Sequence, residues 1–321
     1  MKRLTAFLLP FILCTITAWS AESELQTVYL KEQSFAYLYP FAKEEYAAAV
    51  YGKGEAVQSV GWEQGCCIIR HLGQKLYLPK SAVTAKKPRW SFHADNTHRK
   101  LTLQENSVLY LQPSKSAEKM VCKERTLYTV GETKRWYKLY TEGKTAFIPK
   151  DSRRILKCEK AVFPKIIISV PNKDRYYTER IQYFYSLIPE RARKMAGKNL
   201  TICITDEFER EFEMMGAGAY ARSDGNIYLK ADGGKGMVGI VEQCLIHELG
   251  HMVQYSLREK GEDIFKQAAV LMKSSTLELR QHHQSEREYL AETFELYVKM
   301  PDRLKKQAPE TWKYFSDLFY Q

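Results

Sequence analysis

The segment His247-Glu248-Leu249-Gly250-His251 sets two imidazoles four residues apart, with a carboxylate directly after the first. On a helix, residues i and i+4 lie one turn apart on one face, so both rings can reach a single Zn2+ at about 2.0–2.1 Å. Glu248 then stands where it can take a proton from a water at the position the protein leaves open. Such a centre needs a third protein ligand. Downstream lies Glu286-Arg287-Glu288-Tyr289-Leu290-Ala291-Glu292. Glu288 and Glu292 share a helix face, so one can bind the metal while the other holds the free N–H of a ligand histidine. Taken alone, this stretch reads as a solvated charged face paired with Arg287 and Lys299. The two-histidine motif, ending 37 residues before Glu288, favours the ligand reading.

The elements that must hold these groups can be traced in the same sequence. A helical pattern runs from about Met237 to Lys260 without proline, and a second is marked by Tyr289, Phe294, Leu296 and Tyr297. Cys244 falls one turn before His247; as a fourth ligand it would close the site, so it is read as a packed thiol or a disulfide partner of Cys203. Ahead of them, Pro164–Pro171 encloses a short apolar run. Asp174–Ala196 has helical spacing broken at Pro189 and stopped at Gly197, and Leu200–Thr205 reads as a strand. Residues 160–321 are therefore expected to form one α+β domain.

The first half of the chain carries a repeat. Ser34-Phe-Ala-Tyr-Leu-Tyr-Pro40 resembles Ser107-Val-Leu-Tyr-Leu-Gln-Pro113, and Gly73-Gln-Lys-Leu-Tyr-Leu-Pro-Lys80 resembles Gly143-Lys-Thr-Ala-Phe-Ile-Pro-Lys150. The offsets are 73 and 70 residues, and each copy has a Trp between the two blocks, Trp62 and Trp136. A period of this size marks duplicated modules. Short runs rich in Tyr, Val, Leu and Thr, punctuated by Gly, Pro and Ser, predict strands and turns, with a hairpin around Glu142-Gly143. The pattern resembles bacterial SH3 domains. Small all-β SH3-like barrels are thus expected at 24–86 and 100–157, joined by a linker near Lys86–Lys100.

Tyr289-Leu-Ala-Glu-Thr-Phe-Glu-Leu-Tyr297, followed by Pro301-Asp-Arg-Leu-Lys-Lys-Gln-Ala-Pro-Glu-Thr-Trp312, resembles the zinc endopeptidase domain of anthrax lethal factor and the related Pro-Pro endopeptidases, which are gluzincins. The resemblance covers about residues 200–321. It implies one Zn2+ held by His247, His251 and Glu288, with Glu248 as general base and Glu292 as the carboxylate behind a ligand. It also implies that Gly216–Leu229 is an edge hairpin, with Gly218, Ala219 and Tyr220 pairing with an extended peptide. The family places a Tyr seven residues before the ligand Glu, where this chain has Gln281. His282 and His283, which follow at once, are the candidate donors to the oxyanion in its stead.

Composition sets the boundary conditions. With 321 residues and 45% hydrophobic side chains the chain has a globular make-up, and a mean hydropathy of −0.43 excludes a polytopic membrane protein. Lys2 and Arg3, an apolar run from Leu4 to Trp19, and small Ala18 and Ser20 read as a signal peptide at 1–20. The mature chain is then expected to be secreted or cell-wall associated, with no transmembrane span. Six further cysteines permit disulfides in an exported protein, or six free thiols. The net charge of +11 is uneven: residues 21–160 hold 24 Lys and Arg against 15 Asp and Glu, and residues 161–321 hold 23 of each. The repeat region is therefore the expected contact with an anionic wall polymer, and no nucleic-acid reading module is present. Two functions are in view: a secreted zinc endopeptidase acting on peptide or protein, and a surface-binding protein whose protease-like domain is catalytically weak.

Overall fold

The computed structural model describes residues 25–41, 43, 46–208, 219–232, 239–278 and 285–320. The expected signal segment 1–20 lies outside the described residues.

The N-terminal half forms two seven-stranded antiparallel sheets. In spatial order the first runs Ala47–Tyr51, Ser34–Tyr37, Gln74–Pro79, Cys66–His71, Ala56–Glu63, Gln26–Leu30, Val83–Thr84. The second runs Lys119–Cys122, Ser107–Tyr110, Lys144–Pro149, Trp136–Thr141, Thr126–Glu132, Arg99–Leu103, Ile155–Lys160. Counted within each copy, both orders are 3-2-6-5-4-1-7. The pairing of the fourth and fifth strands even slips at matching places, between Ser59 and Gly61 and between Thr129 and Gly131. The duplication legible in the sequence is thus a duplication of topology. Each sheet has two end strands rather than a closed seam, so the expected closed barrels are not seen.

The hairpin at Glu142-Gly143 forms as expected, with both residues at positive φ (50° and 75°) between paired strands. The segment read as a linker is partly bound: Phe92 bridges to Glu55 and Asp95 to Glu132. None of the six described cysteines is in a disulfide.

The C-terminal half places a four-stranded mixed sheet, in the order Lys165–Ile168, Thr201–Thr205, Asn226–Lys230, Ala219–Ala221, against helices. These are α1 (Asp174–Leu187), α2 (Glu190–Met195), α3 (Ile240–Glu259), α4 (Ile264–Lys273), α5 (Glu286–Lys299), α6 (Pro301–Gln307) and α7 (Pro309–Tyr320). Pro189 separates α1 from α2, as its missing N–H and ring demand. No described helix is long and apolar enough to cross a membrane.

The halves are not beads on a string. One contiguous buried cluster includes Val28, Val50 and Leu78 of the first sheet, Tyr128 and Tyr140 of the second, and Ile181, Leu245 and Phe294 of the helices. The second sheet also keeps a small core of its own around Leu101, Leu109, Leu139 and Ile148. Between the sheets, Lys138 Nζ reaches Glu55 at 2.8 Å and donates to the Val50 carbonyl at 3.1 Å, with both charged side chains only 4% exposed. Tyr183 of α1 accepts from the Val50 N–H at 2.9 Å, and Tyr140 donates to the Val298 carbonyl of α5 at 2.7 Å. A Cβ on Gly143 would lie 1.9 Å from the Pro301 ring, so this turn packs directly on the start of α6. Gly143→Ala should combine a left-handed backbone penalty with that clash, costing about 2–4 kcal/mol. A thermal melt is expected to show the loss; an unchanged melting temperature would show that the turn does not bear on α6.

Candidate metal centre

The motif helix α3 begins at Gly239, which adopts φ 80° and sits so close to Leu38 that a Cβ would meet its methyls at 2.7 Å. Asp232 caps the helix, its Oδ1 accepting from the Ile240 N–H at 2.8 Å. Its other oxygen takes Arg180 Nη1 of α1 at 3.1 Å and the Tyr176 hydroxyl at 3.1 Å. Arg180, 1% exposed, also pairs through Nε and Nη2 with Glu242 in the first turn of α3. The Glu242 carbonyl in turn accepts from Lys299 Nζ of α5, which pairs with Glu295 at 2.6 Å. Buried charges persist only when paired and hydrogen-bonded. This cluster therefore fixes α1, α3 and α5 relative to one another.

Glu288 is placed by a cap of its own. Ser285 Oγ accepts from the Glu288 N–H at 3.3 Å, which puts Glu288 at the third position of α5. The stretch that alone reads as a solvated face is instead buried from Tyr289 through Lys299. Helices α3 and α5 cross tightly: a Cβ at Gly250 would lie 3.0 Å from the Ala291 Cα and 3.2 Å from its carbonyl oxygen. The glycine inside the motif is what lets the two helices approach, and the approach is what brings Glu288 to the histidines.

The result is a compact donor set. Glu288 Oε2 lies 3.1 Å from His247 Nε2 and 3.5 Å from His251 Nε2. Among the described residues His247, His251 and Glu288 form the one group whose donor atoms all fall within 4.8 Å of one another. Ligands at 2.0–2.1 Å from a tetrahedral ion stand about 3.3 Å apart, so two imidazole nitrogens and a carboxylate oxygen at these separations fit Zn2+. Cys244 is not part of the group and is a half-buried thiol.

Burial and the clustered charges act on the two carboxyls in opposite senses. Burial pushes the Glu248 carboxyl above the usual range; Glu288 adds to this, while His247, His251 and Arg287 oppose it. At Glu288 burial works against ionisation, but hydrogen bonds and charge from His247 and His251 outweigh it and hold the carboxyl far below its ordinary value.

Glu292 is buried one turn beyond Glu288. Ala219 and Tyr220 lie on the edge strand Ala219–Ala221, with Tyr220 opposite Tyr228. Gly218, Gln281, His282 and His283 lie outside the described residues. Sequence reasoning missed Gln254. Its Oε1 stands 3.5 Å from His251 Nδ1, and its amide donates to the Arg287 carbonyl at 2.8 Å. With Nδ1 as donor, His251 keeps the Nε2 lone pair for a metal. The i+3 spacing from His251 was the available signal. Also missed was a tie from α5 to the edge strand: Arg287 donates to the Tyr255 hydroxyl at 2.9 Å, which donates to the Ala221 carbonyl at 3.2 Å.

Because Ala291 presents backbone to Gly250, it cannot yield cheaply. Gly250→Ala should therefore cost about 1–3 kcal/mol and widen the gap between Glu288 and the histidines. Lower zinc retention than the wild-type chain, in a variant still folded by circular dichroism, is the expected result; full retention would detach the crossing from the site.

Comparison with curated proteins gives no match. In comparison with protein families, residues 229–318, which contain all three clustered donors, match the family described as anthrax toxin lethal factor, N- and C-terminal domain.

Proposed function

We propose that this chain is a zinc-dependent endopeptidase of the gluzincin type, with His247, His251 and Glu288 as metal ligands and Glu248 as general base. The observation that carries the reading is the convergence of those three donors at separations suited to zinc, with Glu248 buried next to them. The match to the lethal factor family over the same segment supports it.

Zinc bound there would polarise a peptide carbonyl and acidify a water. The rest is work for the chain's own residues. Glu248, kept from solvent and biased towards holding a proton, accepts one from the attacking water and delivers it to the departing amine. Gln254 fixes the His251 ring. The edge strand Ala219–Ala221, tied to α3 through Tyr255, offers main-chain groups to an extended substrate around Ala219 and Tyr220. Donation to the oxyanion falls to His282 or His283.

The two seven-stranded sheets are read as SH3-like modules. Their basic excess supports retention of a secreted enzyme near an anionic wall polymer by screened attraction. One observation favours the second reading, a surface-binding protein with weak catalysis: Gln281 stands where the family carries its Tyr.

Glu248→Gln should keep zinc yet lose about 10²–10⁴-fold in cleavage of a degenerate peptide library. A fully active variant would remove Glu248 from the base role. Glu288→Ala should instead release the metal on dialysis, read by elemental analysis; unchanged zinc content would move the third ligand elsewhere. Wild-type protein that holds zinc but cleaves nothing in the library would favour the second reading.

A further inference from the structure

A cavity of about 330 Å3 lies on the far side of α5, between the second sheet and helices α6 and α7. Its lining is charge-polarised. On the inner side sits Glu124, 7% exposed, its oxygens accepting from the Thr141 hydroxyl at 2.7 Å and the Glu190 N–H at 2.8 Å. Beside it the turn presents Glu142, whose Oε1 is buried and lacks a hydrogen-bond partner. On the outer side the exposed Lys123, Lys144 and Lys305 line the cavity together with exposed Asp302. Lys305 Nζ hangs 4.7 Å from the Trp312 ring centre and Lys123 Nζ 5.8 Å from that of Tyr320, both aromatic rings of the same lining.

We propose that this cavity binds a small zwitterion, an amino carboxylate whose ammonium group meets Glu142 and Glu124 inside and whose carboxylate meets the lysines at the mouth. The buried, unpartnered oxygen of Glu142 needs a donor, and an ammonium supplies three. Glu124 retains free lone pairs after its two hydrogen bonds. Burial pushes its carboxyl up to about 6, with Arg193 opposing, and an ammonium beside it would favour the ionised form. A metal ion suits the place poorly, since Glu124 and Glu142 do not belong to any compact donor group among the described residues. An amine alone would leave the lysines unanswered, and a carboxylate alone would face the acidic side. The volume is at the small end of ligand sites. The occupant would rest on Tyr297 and Val298, in the same helix as Glu288.

The test is isothermal titration of the intact zinc-loaded chain with 6-aminohexanoate, and in parallel with hexylamine and hexanoate. The expected result is saturable one-to-one binding of 6-aminohexanoate, weakened about tenfold when either charge is deleted from the ligand. Glu142→Gln and Lys305→Ala should each weaken it by a similar factor while leaving the melting temperature of the free protein unchanged. No saturable heat, equal binding of hexylamine, or unaltered affinity in Glu142→Gln would each overturn the proposal. The readout is binding, so its outcome is independent of whether the chain cleaves peptides.

Discussion

The contact on which everything else rests is the crossing of α3 and α5 at Gly250 and Ala291. A ligand set drawn from two helices requires their axes to approach closely enough for a short carboxylate to reach two imidazoles. Side chains at the crossing point decide that spacing. Here one partner has no side chain and the other has a methyl, and the backbones nearly touch. The family-like motif is therefore more than two histidines and a glutamate: its fourth residue is a structural member, and the donors converge because it is small.

A tight crossing at one point still leaves the helix ends to be held in register. The buried cluster of Arg180, Asp232, Glu242, Glu295 and Lys299 holds them, clamping the start of α3 and the end of α5 while the crossing sets the middle. Such clusters add little net stability over apolar packing, but each fixes geometry, because a displaced partner leaves a bare charge in the interior. The two sheets brace the arrangement from outside, through Leu38 against Gly239, Tyr183 against Val50 and Tyr140 against Val298.

What the sequence disclosed follows the range of the interactions involved. The histidine pair, the hairpin at Glu142-Gly143, the break at Pro189 and the repeat are local or periodic, and each was legible. The donor group was legible because helical spacing and a family resemblance both pointed to Glu288. Asp232 as partner of Arg180, Lys138 as partner of Glu55, and Lys299 as a buried donor to the Glu242 carbonyl are pairings across tens of residues, with no periodic trace. The closed barrels were over-read: strand and turn signals specify strands, while closure depends on how end strands such as Ala47–Tyr51 and Val83–Thr84 meet other parts of the chain. Gln254 was within reach, one turn from His251, but polar residues at that spacing are too common on helices to stand out.

The shared core has a consequence for how this architecture can be handed on. Two copies share one topology, yet their cores are not equivalent. The first has surrendered its interior to the helices, while the second keeps a private nucleus around Leu101 and Leu139. A segment starting near residue 160 is accordingly not a portable cassette: cut free, it would lose the sheet residues that meet Tyr183, Gly239 and Val298. Modules joined by a tether can be exchanged one at a time, whereas here a cut between the halves would pass through a common core.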